Sequence, residues 1–107
     1  MKIIDIGKDF SDTPWGRYAE DGPFNGSEFR DSILVPALKA NDLVEVRIDT
    51  VEGFGSSFLE EAFGGLVREG HFTKDDLSKR LRIKCDDEEF SSYVLLIHKY
   101  INDAKKK

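Results

Sequence analysis

Two segments in which apolar and polar residues alternate stand on either side of a segment with helical apolar spacing. This order constrains the fold of the chain more than any other feature. Residues 43–51 read LVEVRIDTV and residues 81–85 read LRIKC, and apolar and polar side chains alternate in both. Between them, apolar residues recur at the spacing of one helix face, at Phe58, Leu59, Ala62, Phe63, Leu66 and Val67. Alternation is typical of a strand and this wider spacing of a helix. The order therefore predicts parallel strands joined by a right-handed crossover.

The same alternation of elements continues toward the start of the chain. Residues 2–6, KIIDI, predict a short first strand at an edge of the sheet. A helix is predicted over 27–40, because Phe29, Ile33 and Ala37 recur four residues apart on one face. Either Asn25 or Ser27 could cap it, and Asn25 and Glu28 have the spacing of a capping box. Pro36 should bend or end this helix, since proline lacks the N–H that a helix interior requires.

A last helix is predicted after residue 86, because Asp86 and Glu89 have capping-box spacing. Its apolar stripe consists of Phe90, Val94, Ile97 and Ile101. The run at 73–80, TKDDLSKR, is interpreted as a short turn, and a further short strand is predicted at 17–19. The segments together predict an α/β fold with a roughly four-stranded mixed sheet covered by about three helices.

Length limits the chain to one small domain. A chain of 107 residues buries enough surface for one core, so we expect a single domain over 1–107 and exclude a two-domain enzyme. No apolar run approaches the roughly 20 residues of a membrane span. Asp5 and Asp9 stand where a signal peptide would be apolar. We therefore expect a cytoplasmic protein with no membrane segment.

The numbers of charged residues and of residues that could ligate a metal disfavour nucleic acids and metal ions as partners. The chain has 16 basic and 21 acidic side chains, a net charge of −5, and its basic clusters at 79–84 and 105–107 are small. No nucleic-acid partner is expected, because nucleic-acid binding usually needs a basic face. One cysteine and two histidines make a poor set of metal ligands, so no metal is expected. Cys85 is expected to belong to the core.

The turn between the second strand and the next helix is the most favourable place for a binding site, because ligands of α/β sheets usually lie there. Gly53 and Gly55 permit unusual backbone angles, and Ser56 and Ser57 supply hydroxyls beside the helix start. Ser57 and Glu60 have the spacing of a capping box. In the simple interpretation, a serine only caps the helix. In the functional one, the free amides and dipole of the helix hold an anion.

Motifs for catalysis or nucleotide binding are missing from this turn. The sequence Gly53-Phe54-Gly55 lacks the third glycine of the GxGxxG fingerprint, and no P-loop or GxSxG sequence occurs in the chain. An enzyme and a cofactor are therefore not expected.

The loop at 9–25 carries Arg17 and, among its aromatic residues, Trp15, Tyr18 and Phe24. Arg17 could hold an anion or staple the loop to the rest of the domain. Trp15, Tyr18 and Phe24 are expected to cover the core rather than to form a recognition surface, because so small a domain needs its aromatic side chains inside.

These residues resemble a STAS domain, the module of sulphate transporters and anti-sigma-factor antagonists, and more closely the STAS-like domain family of unknown function. STAS domains place Asp-Ser-Ser-Gly-Leu between a strand and a helix, and here Gly55-Ser56-Ser57-Phe58-Leu59 follows residues 43–51. Gly55 thus replaces the aspartate, and Phe58 replaces the glycine. The closer likeness also includes Asp9-Phe10-Ser11, Arg17, Gly26, Phe29, Arg30, Pro36 and the run at 56–64.

The resemblance implies regulation rather than a reaction. In antagonist members the first serine of the pair is phosphorylated by a partner kinase, and this serine matches Ser56. Members of the STAS-like family often lie beside or are fused to histidine-kinase-like ATPase modules. The chain would then be a non-catalytic bacterial interaction module whose partner is a GHKL-type ATPase or kinase.

The resemblance and the turn together give one set of candidate residues for partner binding or phosphorylation: Ser56, Ser57, Gly53, Gly55, Glu60 and Arg17. The alternative is a domain that binds a small anionic ligand or a nucleotide at the same helix start.

Overall fold

Three parallel strands form the sheet in a computed structural model that describes residues 1–107. They are β1 (Lys2–Asp5), β2 (Val44–Arg47) and β3 (Leu81–Lys84), in the order β1-β2-β3. Val44 lies opposite Lys2 on one side and Leu81 on the other, so the strands start level. The α/β class and the edge position of the first strand are confirmed, but the prediction of a four-stranded mixed sheet is wrong.

Five helices accompany the sheet, which is more than the sequence predicted. They are α1 (Ile6–Asp9), α2 (26–40), α3 (56–68), α4 (Lys74–Arg80) and α5 (Ser91–Asp103), with 3₁₀ turns at Ala19–Asp21 and Glu88–Phe90. α2 and α3 each contain one wide π turn, at Arg30–Leu34 and Glu60–Gly64. Pro36 lies two residues after the end of the wide turn of α2, so the irregularity predicted for this helix is a π turn rather than a sharp bend or an end.

The strand predicted at 17–19 does not form. The backbone N–H groups of Arg17 and Tyr18 donate to the carboxylate of Asp21, at 2.9 and 3.3 Å, and the chain makes a 3₁₀ turn at Ala19–Asp21. These local side-chain hydrogen bonds satisfy the N–H groups that a ladder would have used.

The segment predicted as a turn at 73–80 is the helix α4. Thr73 accepts from the N–H of Asp76 and the carboxylate of Asp76 accepts from the N–H of Thr73, both at 3.0 Å, which completes a capping box. The spacing was visible in the sequence, but the apolar stripe beside it is too short to reveal a helix. The box predicted at Asp86 is also wrong, since Asp87 caps the 3₁₀ turn instead.

The helices that connect the strands cover only one face of the sheet. Both crossovers step in the same direction across the order β1-β2-β3, so right-handed connections place α2 and α3 on the same side. The side chains on that face are buried, namely Ile4, Val44, Val46, Leu81 and Ile83. On the opposite face Ile3, Arg82 and Lys84 are exposed. Parallel sheets are usually covered on both faces, so the open face is a distinctive feature of this chain.

α2 and α3 approach each other most closely at the start of α2. A Cβ added at Gly26 would lie 2.7 Å from the carbonyl oxygen of Phe58 and 2.9 Å from the Cβ of Glu61. The Phe58 contact is a backbone atom, which cannot move aside cheaply. Only glycine therefore fits at this crossing.

Replacement of Gly26 by alanine tests the tight crossing. We expect Gly26→Ala to lower the free energy of unfolding by about 1–3 kcal/mol, because the added methyl group forces the helices apart. Urea denaturation followed by circular dichroism measures the change. Gly53→Ala is the matched control, because a Cβ there meets nothing closer than the Tyr93 hydroxyl at 3.5 Å. Equal stability of the two variants would contradict the proposed packing.

Candidate functional site

The turn at 53–57 follows the carboxyl end of β2 and leads directly into α3. The helix starts at Ser56, its N-cap is Gly55, and no side chain caps it. The capping box predicted for Ser57 and Glu60 is therefore wrong. The carboxylate of Glu60 is engaged elsewhere, since it accepts from Arg17 at 2.5 Å and from Arg68 at 2.6 Å.

The two serines differ in exposure. Ser56 is exposed and Ser57 is half-buried, and neither hydroxyl is used to cap the helix. Phe54 anchors the turn to the domain. Its ring stacks on that of Phe58 with 5.8 Å between centroids and packs edge-on to that of Tyr93 with 5.2 Å between centroids. The Ser56 hydroxyl is thus presented to solvent by an anchored turn.

Trp15, Tyr18 and Phe24 of the loop at 9–25 do not cover the core, contrary to the prediction. Trp15 is 64% exposed, Tyr18 47% and Phe24 43%. The core is already filled by other aromatic rings, among which Phe29 and Phe58 are fully buried.

Two of the loop aromatics lie against the domain near the turn. The ring of Trp15 lies 3.3 Å from the position that a Cβ would take at Gly55. Phe24 packs edge-on to Phe10, whose ring also contacts Phe58 at the start of α3. The loop therefore places exposed aromatic surface beside Ser56.

Arg17 joins this loop to α3. Its guanidinium donates to Glu60 at 2.5 Å and to Glu61 at 3.3 Å. The hydrogen bond to Glu60 raises the pKa of Arg17, so the side chain stays charged. Both partners are acids of the same chain, so Arg17 staples the loop to α3.

Glu61 forms the centre of a charge cluster with three arginines. Its side chain is 2% exposed, and it accepts from Arg30 at 2.6 Å, Arg68 at 3.0 Å and Arg17 at 3.3 Å. Burial by itself would raise the pKa of Glu61, but the hydrogen bond from Arg30 and the charges of Arg68 and Arg30 outweigh it and lower the pKa. The carboxylate therefore remains ionised inside the protein.

In the sequence, Glu61 lies opposite the apolar stripe of this helix, which predicts an exposed side chain, and this interpretation is wrong. Glu61 and Gly64 lie within the π turn Glu60–Gly64 and Gly65 follows it, and all three residues are buried. A Cβ at Gly65 would lie 2.3 Å from the guanidinium of Arg30. The adjacent glycines Gly64 and Gly65 in the middle of the helix were the sequence signal for a buried face here, because glycine allows another side chain to approach the backbone.

The two cavities of the protein lie away from the turn. One, of about 450 Å³, runs between α4, β3 and α5, and the other, of about 280 Å³, lies near Gly70 at the end of α3. Together with the engagement of Arg17, this gives a small-anion site at the turn no support.

The structure offers no metal site and no membrane-spanning helix, and its cysteine and its histidine on α5 lie away from the turn. No group of histidine, cysteine and acidic side chains could hold a metal ion. Cys85 is half-buried against the core, and His98 is exposed on α5. None of the five helices combines the length and apolar character needed to cross a membrane.

The charge cluster predicts a pH-dependent effect of Glu61→Gln. At about pH 7 the variant should be less stable by about 2 kcal/mol, because the buried Arg30 and the partly exposed Arg17 and Arg68 lose their charged acceptor. The pKa of Glu61 is lowered from 4.5, so its contribution is present above that pH and disappears as the pH falls further. The stability difference from the unmodified protein should therefore shrink on acidification.

Urea denaturation at a series of pH values measures this difference. Glu52→Gln is the control, since Glu52 is exposed and should show no effect at any pH. A difference for Glu61→Gln that stays constant down to about pH 3 would contradict the role of its charge.

Comparison with known proteins gives one match to a family. The family model of the STAS-like domain of unknown function matches residues 25–89, which include α2, β2, the turn, α3, α4 and β3. No curated protein and no solved structure gives a significant match. The matched region covers well over half of the 107 residues and contains Glu61, Arg30 and Arg68 of the charge cluster but not Arg17. The chain therefore belongs to the STAS-like domain family of unknown function.

Proposed function

We propose that the chain is a non-catalytic regulatory module that docks a protein partner through its turn surface, which we define as residues 53–57 with Trp15 and Phe24. One observation carries the proposal: Trp15 is 64% exposed although it lies directly on Gly55, next to the exposed Ser56. Tryptophan is among the residues that contribute most binding energy in protein interfaces. A large exposed ring beside an exposed turn fits partner recognition better than it fits folding.

The rigidity of this surface supports the proposal. Arg17 ties the loop to Glu60, and Glu60 in turn accepts from Arg68 on the next turns of α3. Two backbone hydrogen bonds, from Gly26 to Gly16 and from Ser27 to Arg17, join the loop to α2 at 2.8 and 3.0 Å. An aromatic side chain held in place before binding loses little conformational freedom in a complex.

The absence of catalysis is part of the proposal. Ser56 begins α3, whereas His71 lies beyond the opposite end of that helix and contacts Asp31 at 3.9 Å. A helix of this length spans about 20 Å, so His71 is too far away to activate the serine. His98 lines the other side of the domain, in the cavity beside β3.

Phosphorylation of Ser56 is the proposed switch, and a GHKL-type ATPase or kinase is the proposed partner. Support comes from family membership and from the exposure of Ser56 at the first position of α3. A phosphate there would be tolerated by the free amides of the helix start, yet would add about −1.5 to −2 charge to the turn surface. The same event would therefore leave the fold intact and change the docking surface.

Binding to a purified GHKL-type ATPase tests the proposal. We expect Trp15→Ala to weaken binding at least about tenfold in isothermal titration calorimetry, because the variant removes the central aromatic contact. Leu95→Ala is the matched control, since Leu95 is 72% exposed but lies on α5. Full-strength binding by Trp15→Ala would contradict docking through the turn surface.

The same mixture tests the switch when ATP is added and modified residues are mapped by mass spectrometry. We expect phosphate on Ser56 and none in Ser56→Ala, and we expect the modified protein to release the partner. Docking without modification of either serine would remove the switch but leave the docking surface in place.

A further inference from the structure

We propose that the free edge of β3 accepts an extended acidic segment of another protein as a fourth strand. The site is the edge groove, which we define as the cavity of about 450 Å³ along β3 between α4 and α5. It lies outside the turn surface and does not depend on the function proposed above.

The backbone of β3 offers unused hydrogen-bonding groups to this groove. In a parallel ladder, alternate residues direct both backbone groups to the same neighbour. The carbonyl of Lys84 accepts from the N–H of Ile48 at 3.1 Å, so the backbone N–H and C=O groups of Lys84 and Arg82 point to β2. The N–H and C=O of Ile83 therefore face the free edge, where no strand of this chain pairs with them.

The charges along the groove favour an acidic occupant. Lys74, Arg82 and Lys84 line it, and none forms an ion pair with a carboxylate of the chain. Lys74 donates to the carbonyl of Asn102 at 2.6 Å, and Arg82 donates to the carbonyls of Ser78 and Leu81. In a chain of net charge −5, three uncompensated cations on one edge attract negative charge.

The two faces of the edge groove determine which residue types should alternate along the added peptide segment. Toward the helices the lining is apolar, with Leu77, Leu81 and Ile101 nearly buried, while Arg82 and Lys84 point to the open face. Side chains of an added strand alternate between these two faces. The segment should therefore alternate apolar with acidic residues.

Other occupants fit this edge less well. Two copies of the chain paired through β3 would bring Arg82 and Lys84 against the same residues of the second copy, and cations on an edge are a common protection against such pairing. A nucleic acid would meet the cations but cannot continue a backbone ladder past Ile83. An acidic protein segment uses both the charges and the edge.

Titration with a fluorescent peptide that alternates valine and glutamate over about ten residues tests the proposal. We expect saturable binding and slower amide hydrogen exchange at Ile83, because strand addition engages that N–H. The double variant Arg82→Glu, Lys84→Glu should weaken binding at least about tenfold. The control Lys39→Glu, Lys105→Glu changes net charge equally at exposed sites away from the groove and should bind normally.

Three further arms separate strand addition from simple charge attraction. A valine–lysine peptide should not bind, and the acidic peptide with alternate backbone nitrogens methylated on its ladder edge should bind about tenfold more weakly or worse. Single-stranded oligothymidylate should bind less tightly than the acidic peptide. No binding of the acidic peptide, equal binding after methylation, or tighter binding of the oligonucleotide would each overturn the proposal.

Discussion

The buried carboxylate of Glu61 is the constraint on which the rest of the structure depends. A charge that is 2% exposed is stable only when its partners are fixed, and here Arg30 of α2, Arg68 of α3 and Arg17 of the loop supply them. The wide turns of α2 and α3 and the glycine at position 65 allow these side chains to meet. Loop, helices and turn therefore form one connected unit, and the exposed aromatic surface beside Ser56 follows from that connection.

The strand order determines which other surfaces remain free. Because both crossovers place their helices on the same face, Arg82 and Lys84 stay open to solvent and β3 keeps an unpaired edge. The turn surface lies at the carboxyl end of β2, whereas the edge groove runs along β3. A domain of this size thus has two separate surfaces on which partners could be combined, one aromatic and one cationic.

Sequence periodicity predicted the three strands and most of α2, α3 and α5, because each has a clear apolar pattern. It failed at 17–19 and 73–80, where Asp21 and Thr73 organise the backbone through short-range hydrogen bonds. At the candidate site, the positions of Ser56 and Gly55 at the helix start followed from local rules. The burial of Glu61 could not, since it depends on partners that come from distant parts of the chain.

Amide hydrogen exchange in an Arg17→Met variant tests the central role of the charge cluster most directly, because methionine keeps the unbranched apolar stem of the side chain but removes the charged guanidinium. The account predicts faster exchange at Trp15, Gly26 and Ser27, whose N–H groups hold the loop in place, and unchanged exchange at Ile48 in the sheet. Unchanged protection of the loop, or an equal loss in loop and sheet, would contradict the claim that this cluster fixes the turn surface.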